Sequence, residues 1–384
     1  MEQGVGSVEL RLGVKIYDND WFLRHQLTPE QVADLLEAWG VTYVIAQSKY
    51  LPMANSAVTS AVTQRDRDLY AALDDRALRD ALHRRGIAYF ACLNICFDPA
   101  FTASHPSLKP VDQFGNVAEQ LDWYIGLPPD RQENLAHKID LLQKGVAALA
   151  PDVVHLGFIR WPGFWETWLP GDSRSDKPEY CFSPATVRRF CAATGVDVAT
   201  DSPQQSAGII GERYRSQWTA WKCGATVAAI AQIRAALEPI QTGLKYAINT
   251  LPLFRTDFDN AVEEVFGQDI AMLADVVDIF EVMAYHQIMA QPASWPARVA
   301  DDIRRRSGRA AVCTLQAAPL YLTGMHQGRG RSPELTADEF SSALDHLAAT
   351  SVDGACVFTF TDLIDMRGTA HGEAMIGALK RFRC

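Results

Sequence analysis

A chain of 384 residues with 48% hydrophobic and 21% charged residues is ordinary for a globular protein; that excludes disordered and fibrous classes and leaves one large barrel or two or three small domains. Lys and Arg number 36 against 46 Asp and Glu, a net charge of −10 with no basic cluster beyond Arg304, Arg305 and Arg306, so no nucleic-acid partner is expected. No apolar run approaches the ~20 residues that cross a bilayer, so no membrane partner is expected.

Short apolar runs alternate with amphipathic stretches from end to end. A strand over 10–17 comes first, and Thr28 and Pro29 then open a helix as cap and first residue, closed by Gly40. A second strand runs over 41–47, a helix over 75–85 ends at Gly86, and a third strand covers 87–94. A helix over 134–149 leads to a fourth strand over 152–160. Ser183 and Pro184 cap a short helix, and a long one covers 213–237. The fifth strand (244–249), a helix over 258–273, the sixth strand (278–285), a helix over 297–306 and the seventh strand (310–316) follow. Thr336 with Glu339 three residues on reads as a capping box for a helix over 336–348. The eighth strand (352–360) and a helix over 373–382 complete the pattern.

Eight strand–helix units with near-continuous apolar strands predict an α/β protein, a single (β/α)8 TIM barrel spanning 1–384 as one domain. A doubly wound sheet is the rival, but no GxGxxG or GxxxxGK[ST] follows a strand. The βα loops after strands 3, 4 and 7 are long, over 97–131, 161–212 and 317–335. In such a barrel those loops build the catalytic face.

The strand ends on that face carry carboxylates, amides and aromatic rings. Tyr17 and Asp18 follow strand one, Lys49 strand two, and Asn94 and Asp98 strand three. Arg160, Trp161, Trp165 and Glu166 follow strand four, and Asn249 ends strand five. Strand six carries Glu281, Tyr285 and His286; Gln316 ends strand seven and Asp362 follows strand eight. Aromatic faces stack on pyranose rings, fixed polar groups read hydroxyls, and two carboxyls do acid/base work, so the pattern suits a small-molecule carbohydrate. Glu281 stands out, because an ionised carboxylate inside an apolar strand is costly to bury without a partner such as Arg160 or Lys15. Asp278, near the start of the strand, reads as structural. No HxH, HExxH or GxSxG occurs, so no metal, cofactor or serine nucleophile is expected. An aldolase-type lysine is not expected, since Lys15 and Lys245 lie near strand starts or middles and Lys49 is the one rim candidate.

FACLNICFD over 90–98, WYIG over 123–126, PDVVHLGFIRWP over 151–162, DIFEVMAYH over 278–286 and VDGACVF over 352–358 resemble segments of the glycoside-hydrolase-like TIM-barrel proteins of the "hypothetical glycosyl hydrolase" group. The resemblance implies a carbohydrate-acting barrel with a carboxylate pair. The strand-four signature of that group, "GxxLDxIRYP", has Asp where this chain has Gly157. The loss leaves Glu281 working with Glu166 or with Asp98, or a carbohydrate-binding barrel without catalysis; a metal-free isomerase or lyase is a further rival, favoured if the rim carboxylates stand too far apart for glycosidic attack. A glycine there would also make room for a substrate group. If Glu281 is catalytic, Glu281→Gln should abolish turnover and spare the fold.

The first nine residues show neither a basic nor an apolar leader segment, and none of the eight cysteines, at 92, 96, 181, 191, 223, 313, 356 and 384, forms a CxxC pair. Buried free thiols and a cytoplasmic location are the expectation. A homo-oligomer is left open.

Overall fold

A computed structural model describes residues 8–52, 63–199 and 201–382. Most of the N-terminal stretch read for a leader, and Cys384, lie outside them. Eight parallel strands close into one barrel in sequence order: β1 (Leu12–Ile16), β2 (Tyr43–Ala46), β3 (Ala88–Asn94), β4 (Val153–Gly157), β5 (Lys245–Thr250), β6 (Ile279–Met283), β7 (Ala310–Gln316) and β8 (Gly354–Phe358). The fold is a (β/α)8 barrel, as the strand pattern requires. Every strand is buried on both faces, which explains runs such as Ile279-Phe280-Glu281-Val282-Met283. One set of side chains packs outward against the helices, while Tyr43, Ile45, Phe90, Cys92, Val153 and Ile279 are among those that fill the interior.

The segments between strands and helices on the C-terminal side are unequal. Residues 95–131 separate β3 from the helix Gln132–Leu149, and 158–214 separate β4 from the helix Arg215–Leu237. The second segment has a core of its own, built by Phe182, Val187, Phe190, Val198 and Ile210 with Trp218 of the following helix. Residues 317–336 follow β7. No helix among the described residues is long and apolar enough to cross a membrane.

Two local readings differ from the structure. The 258–273 stretch is two short helices, Ala261–Glu264 and Ile270–Leu273, rather than one. Gly267 breaks it with a φ of +62°, and a Cβ there would sit 2.3 Å from the Trp161 ring, so the chain can turn past Trp161 only as glycine. The second concerns Glu339. Thr336 does accept from the Glu339 backbone N–H at 3.1 Å, but the Glu339 carboxylate meets His286 Nε2 at 3.1 Å and does not close a capping box.

Candidate active site

Strand alternation puts residues 13, 15 and 17, 153, 155 and 157, and 279, 281 and 283 toward the barrel axis. Glu281 of β6 lies there fully buried, ion-paired with Lys15 of β1. His155 of β4 meets its Oε2 through Nε2 at 2.7 Å, and Thr314 of β7 donates to its Oε1 at 2.5 Å. Burial alone would raise this carboxyl; Lys15 and then His155 outweigh it and bring it down to about 2. Burial would likewise depress His155, but Cys92 and Glu281 lift it to about 9. Cys92 Sγ stands 3.3 Å from His155 Nδ1, and the Tyr17 hydroxyl 3.8 Å from that sulfur. This charged layer is the floor of the site.

Above it lies a mouth of buried polar atoms that lack hydrogen-bond partners: Asn94 Nδ2, Arg160 Nε and Nη1, Trp165 Nε1 and Glu166 Oε2. An ordered water or another molecule can satisfy such a group of buried polar atoms, which makes this the candidate site. Burial pushes Glu166 up to about 7 against the pull of Arg160 and Arg331. Arg331 donates to the Glu166 carbonyl at 2.5 Å and to that of Ile288 at 2.7 Å, fixing the turn that carries the carboxyl. Tyr285 lies between floor and mouth. Burial raises its phenol well above the usual range, helped by the charge of Glu281, then by Cys356 and Glu166. Its ring is 6.0 Å from Trp165 and 5.3 Å from Phe358.

The walls are aromatic. Phe97 stacks on Phe158 at 4.8 Å, and Tyr124 on Phe164 at 5.4 Å. Trp123 Nε1 donates to the Tyr321 hydroxyl at 3.0 Å. Phe158 and Tyr321 hold φ of +54° and +56°. A bulky residue in the left-handed region costs about 1–3 kcal/mol, strain of the kind that gathers at functional sites. Tyr321 also walls a cleft of about 410 Å³ together with Asp122, Thr323, Met325 and His326. A larger cleft of about 580 Å³ lies by Arg174, Glu179, Arg215 and Glu264, whose charges pair with one another, Arg215 with Glu179 at 2.8 Å and Arg174 with Glu264 at 2.8 Å.

No family model and no curated protein matches this chain. Solved structures do. The PgaB (BpsB) glycoside hydrolase domain from Bordetella bronchiseptica superposes with a TM-score of 0.63 at 15% identity, over 96% of this chain and 98% of that one. The catalytic domain of a beta-amylase from Paenibacillus polymyxa gives 0.58 at 12%, over 98% and 99%. A GH42 beta-galactosidase from G. stearothermophilus gives 0.60 at 12%, over 98% of this chain and 57% of that enzyme. The fold is that of a glycoside-hydrolase-like TIM barrel.

Within this barrel, seven of the residues singled out in the sequence come together: Glu281 and Tyr17 at the floor, Tyr285 between floor and mouth, and Asn94, Arg160, Trp165 and Glu166 at the mouth. The other eight each have at least one polar group engaged elsewhere, His286 keeping an unpartnered Nδ1. Asp98 caps the helix Pro99–Ser104 by accepting from Phe101 N at 2.9 Å and pairs with Lys138 at 2.7 Å. Trp161 turns its ring toward Trp221, 5.5 Å away, and its N–H to the Lys222 carbonyl. Asn249 accepts from Phe158 N at 2.9 Å, holding the strained turn. Gln316 bonds Gln287 and the Ala318 carbonyl, and His286 meets Glu339. Lys49 Nζ is bound by the Leu73 carbonyl. Asp18 accepts from Thr361 at 2.6 Å, and Asp362 closes a capping box with Thr359.

Gly157 does not leave a vacancy for substrate. A Cβ at that position would lie 2.4 Å from Asn94 Oδ1, so the Asn94 side chain already occupies the space. Gly157→Ala should therefore cost about 1–3 kcal/mol of stability by overpacking. Adding Asn94→Gly should recover most of it. Urea midpoints of the two variants check this, and an unperturbed Gly157→Ala midpoint would contradict it.

Of the two partners the sequence offers for Glu281, Lys15 is the one paired with it and Arg160 is not; His155 and Thr314 were legible only through strand parity, which places them on the same face as Glu281. Arg331 and Tyr321 gave no sequence signal beyond lying in a long loop.

Proposed function

We propose that the barrel hydrolyses a glycosidic bond, with Glu166 as general acid and Glu281 as the ionised partner. The observation that carries the reading is the opposite environment of these two carboxyls on either side of Tyr285. Burial holds Glu166 protonated to about 7, while Lys15 and His155 hold Glu281 ionised to about 2. Two carboxyls pushed apart in this way can divide acid and anion roles at neutral pH. Glu166 Oε2, with no protein partner, would protonate the leaving oxygen. Glu281, ionised beneath the sugar ring, would be the second carboxyl of the pair. Trp165 and Tyr285 would pack on its apolar face. The substrate would be a small oligosaccharide or glycoside met in the cytoplasm, a location that suits the free thiols at 92, 96, 181, 191, 223 and 356.

A panel of aryl glycosides tests the reading. Wild-type protein should release the aglycone. Glu166→Gln should lose rate mainly on glycosides with poor leaving groups, because good ones need no proton. Equal losses on both kinds would sink the acid assignment.

A second reading, a carbohydrate-binding barrel without turnover, is favoured by one observation: Lys15, His155 and Thr314 already occupy both oxygens of Glu281. It predicts stabilisation by sugar without any product.

A further inference from the structure

Arg160 stands just beyond β4 and is 1% exposed. Its Nε and Nη1 have no hydrogen-bond partner, and among the described residues no carboxylate lies within ion-pair distance of it. An arginine cannot escape burial by giving up its proton. A buried guanidinium without a counter-charge costs several kcal/mol. Its surroundings do not compensate: the face of Phe158, 4.6 Å from the guanidinium carbon, is a weak partner for a full charge. Glu166 lies within electrostatic reach of it, but its Oε2 has no hydrogen-bond partner.

The other cations of the mouth are spent. Lys15 is paired with Glu281, and Arg331 donates to the carbonyls of Ile288, His326 and Glu166. Two more donors, Trp165 Nε1 and Asn94 Nδ2, are unmet, against a single unmet side-chain acceptor, Glu166 Oε2. The mouth therefore has an excess of donors and one uncompensated positive charge. A neutral hydroxyl both donates and accepts, and does not require a guanidinium. A carboxylate only accepts, offers about four lone-pair sites and carries one negative charge. A phosphate monoester, with about −1.5 to −2, would over-compensate a single cation.

We infer that the sugar taken at the mouth carries a carboxylate, as in a uronic acid glycoside, and that Arg160 binds it. This deepens the proposed function and rests on the reading of the mouth as a sugar site. The net charge of −10 gives the chain no general attraction for anions, so the preference depends on Arg160 alone.

Titration calorimetry tests the inference with glucuronate and galacturonate against glucose and galactose, and with sugar sulfates and phosphates as controls. The uronates should bind at least about tenfold more tightly than their neutral counterparts. Arg160→Gln should abolish the difference, and Arg160→Lys, which keeps the charge, should retain part of it and show that loss of fold is not the cause. Neutral sugars bound as well as uronates, or a preference surviving in Arg160→Gln, would overturn the inference alone. Tighter binding of the sulfate or phosphate esters would overturn the carboxylate assignment. No binding of any sugar would overturn this inference together with the sugar-site reading beneath it.

Discussion

Glu281→Gln should destabilise the barrel by about 3–5 kcal/mol, because it leaves Lys15 and a protonated His155 buried around an uncharged amide. Spared folding, the outcome expected from sequence, does not survive the geometry. A double replacement, Lys15→Met with Glu281→Leu, should restore part of the loss, since an apolar pair of similar volume can stand in for a buried ion pair. Urea midpoints of the single and double variants read this directly; a loss below about 1 kcal/mol in Glu281→Gln would show that the charge cluster does not hold the barrel together.

The same cluster fixes a pH window. Glu281 is brought from its ordinary 4.5 down to about 2, so its contribution is present above 4.5 and disappears as pH falls through about 2. His155 is lifted from 6.5 to about 9, so its contribution is complete below 6.5 and disappears as pH rises through about 9. For these two groups stability should be flat between the windows and fall on both sides.

Glu166→Gln should lower kcat by about 10²–10⁴, the usual worth of a positioned general acid. It should also stabilise the protein at alkaline pH. Burial raises this carboxyl from 4.5 to about 7, so ionising it costs more in the folded chain than in the unfolded one. The cost is absent below 4.5, grows as pH rises, and is complete above about 7, at up to about 3 kcal/mol. The variant and the wild type should therefore have equal urea midpoints near pH 4 and diverge toward pH 8, with the variant ahead. Wild-type activity should fall above about 7 as the acid loses its proton, and the variant should lack that limb. A variant less stable than wild type at pH 8 would mean that Glu166 is a structural anion.

Much of this was legible in the sequence. Runs such as Ile279-Phe280-Glu281-Val282-Met283 announced strands buried on both faces, and one carboxylate inside such a run announced a charge with partners. Which partners it has depends on how β1, β4 and β7 line up around a closed barrel, and no local pattern encodes that. The rim was legible as a set of positions but not as directions. Asn249, Gln316 and Asp362 do stand at strand ends, yet neighbouring segments consume their polar groups, and His286 spends its Nε2 on Glu339. Gly157 shows the same limit: a missing side chain looks like space until the Asn94 amide is seen in it. The break at Gly267 was hidden because the apolar spacing on either side continues the helical period, and only the Trp161 ring forces the turn.

A crystal structure of Glu166→Gln soaked with an aryl glycoside shows whether Glu166, Tyr285 and Glu281 form one sugar site. A sugar ring should lie against Tyr285, with the glycosidic oxygen within about 3 Å of the amide at position 166. A sugar held instead in the cleft beside Arg174 and Arg215, with nothing bound above Glu281, would contradict it.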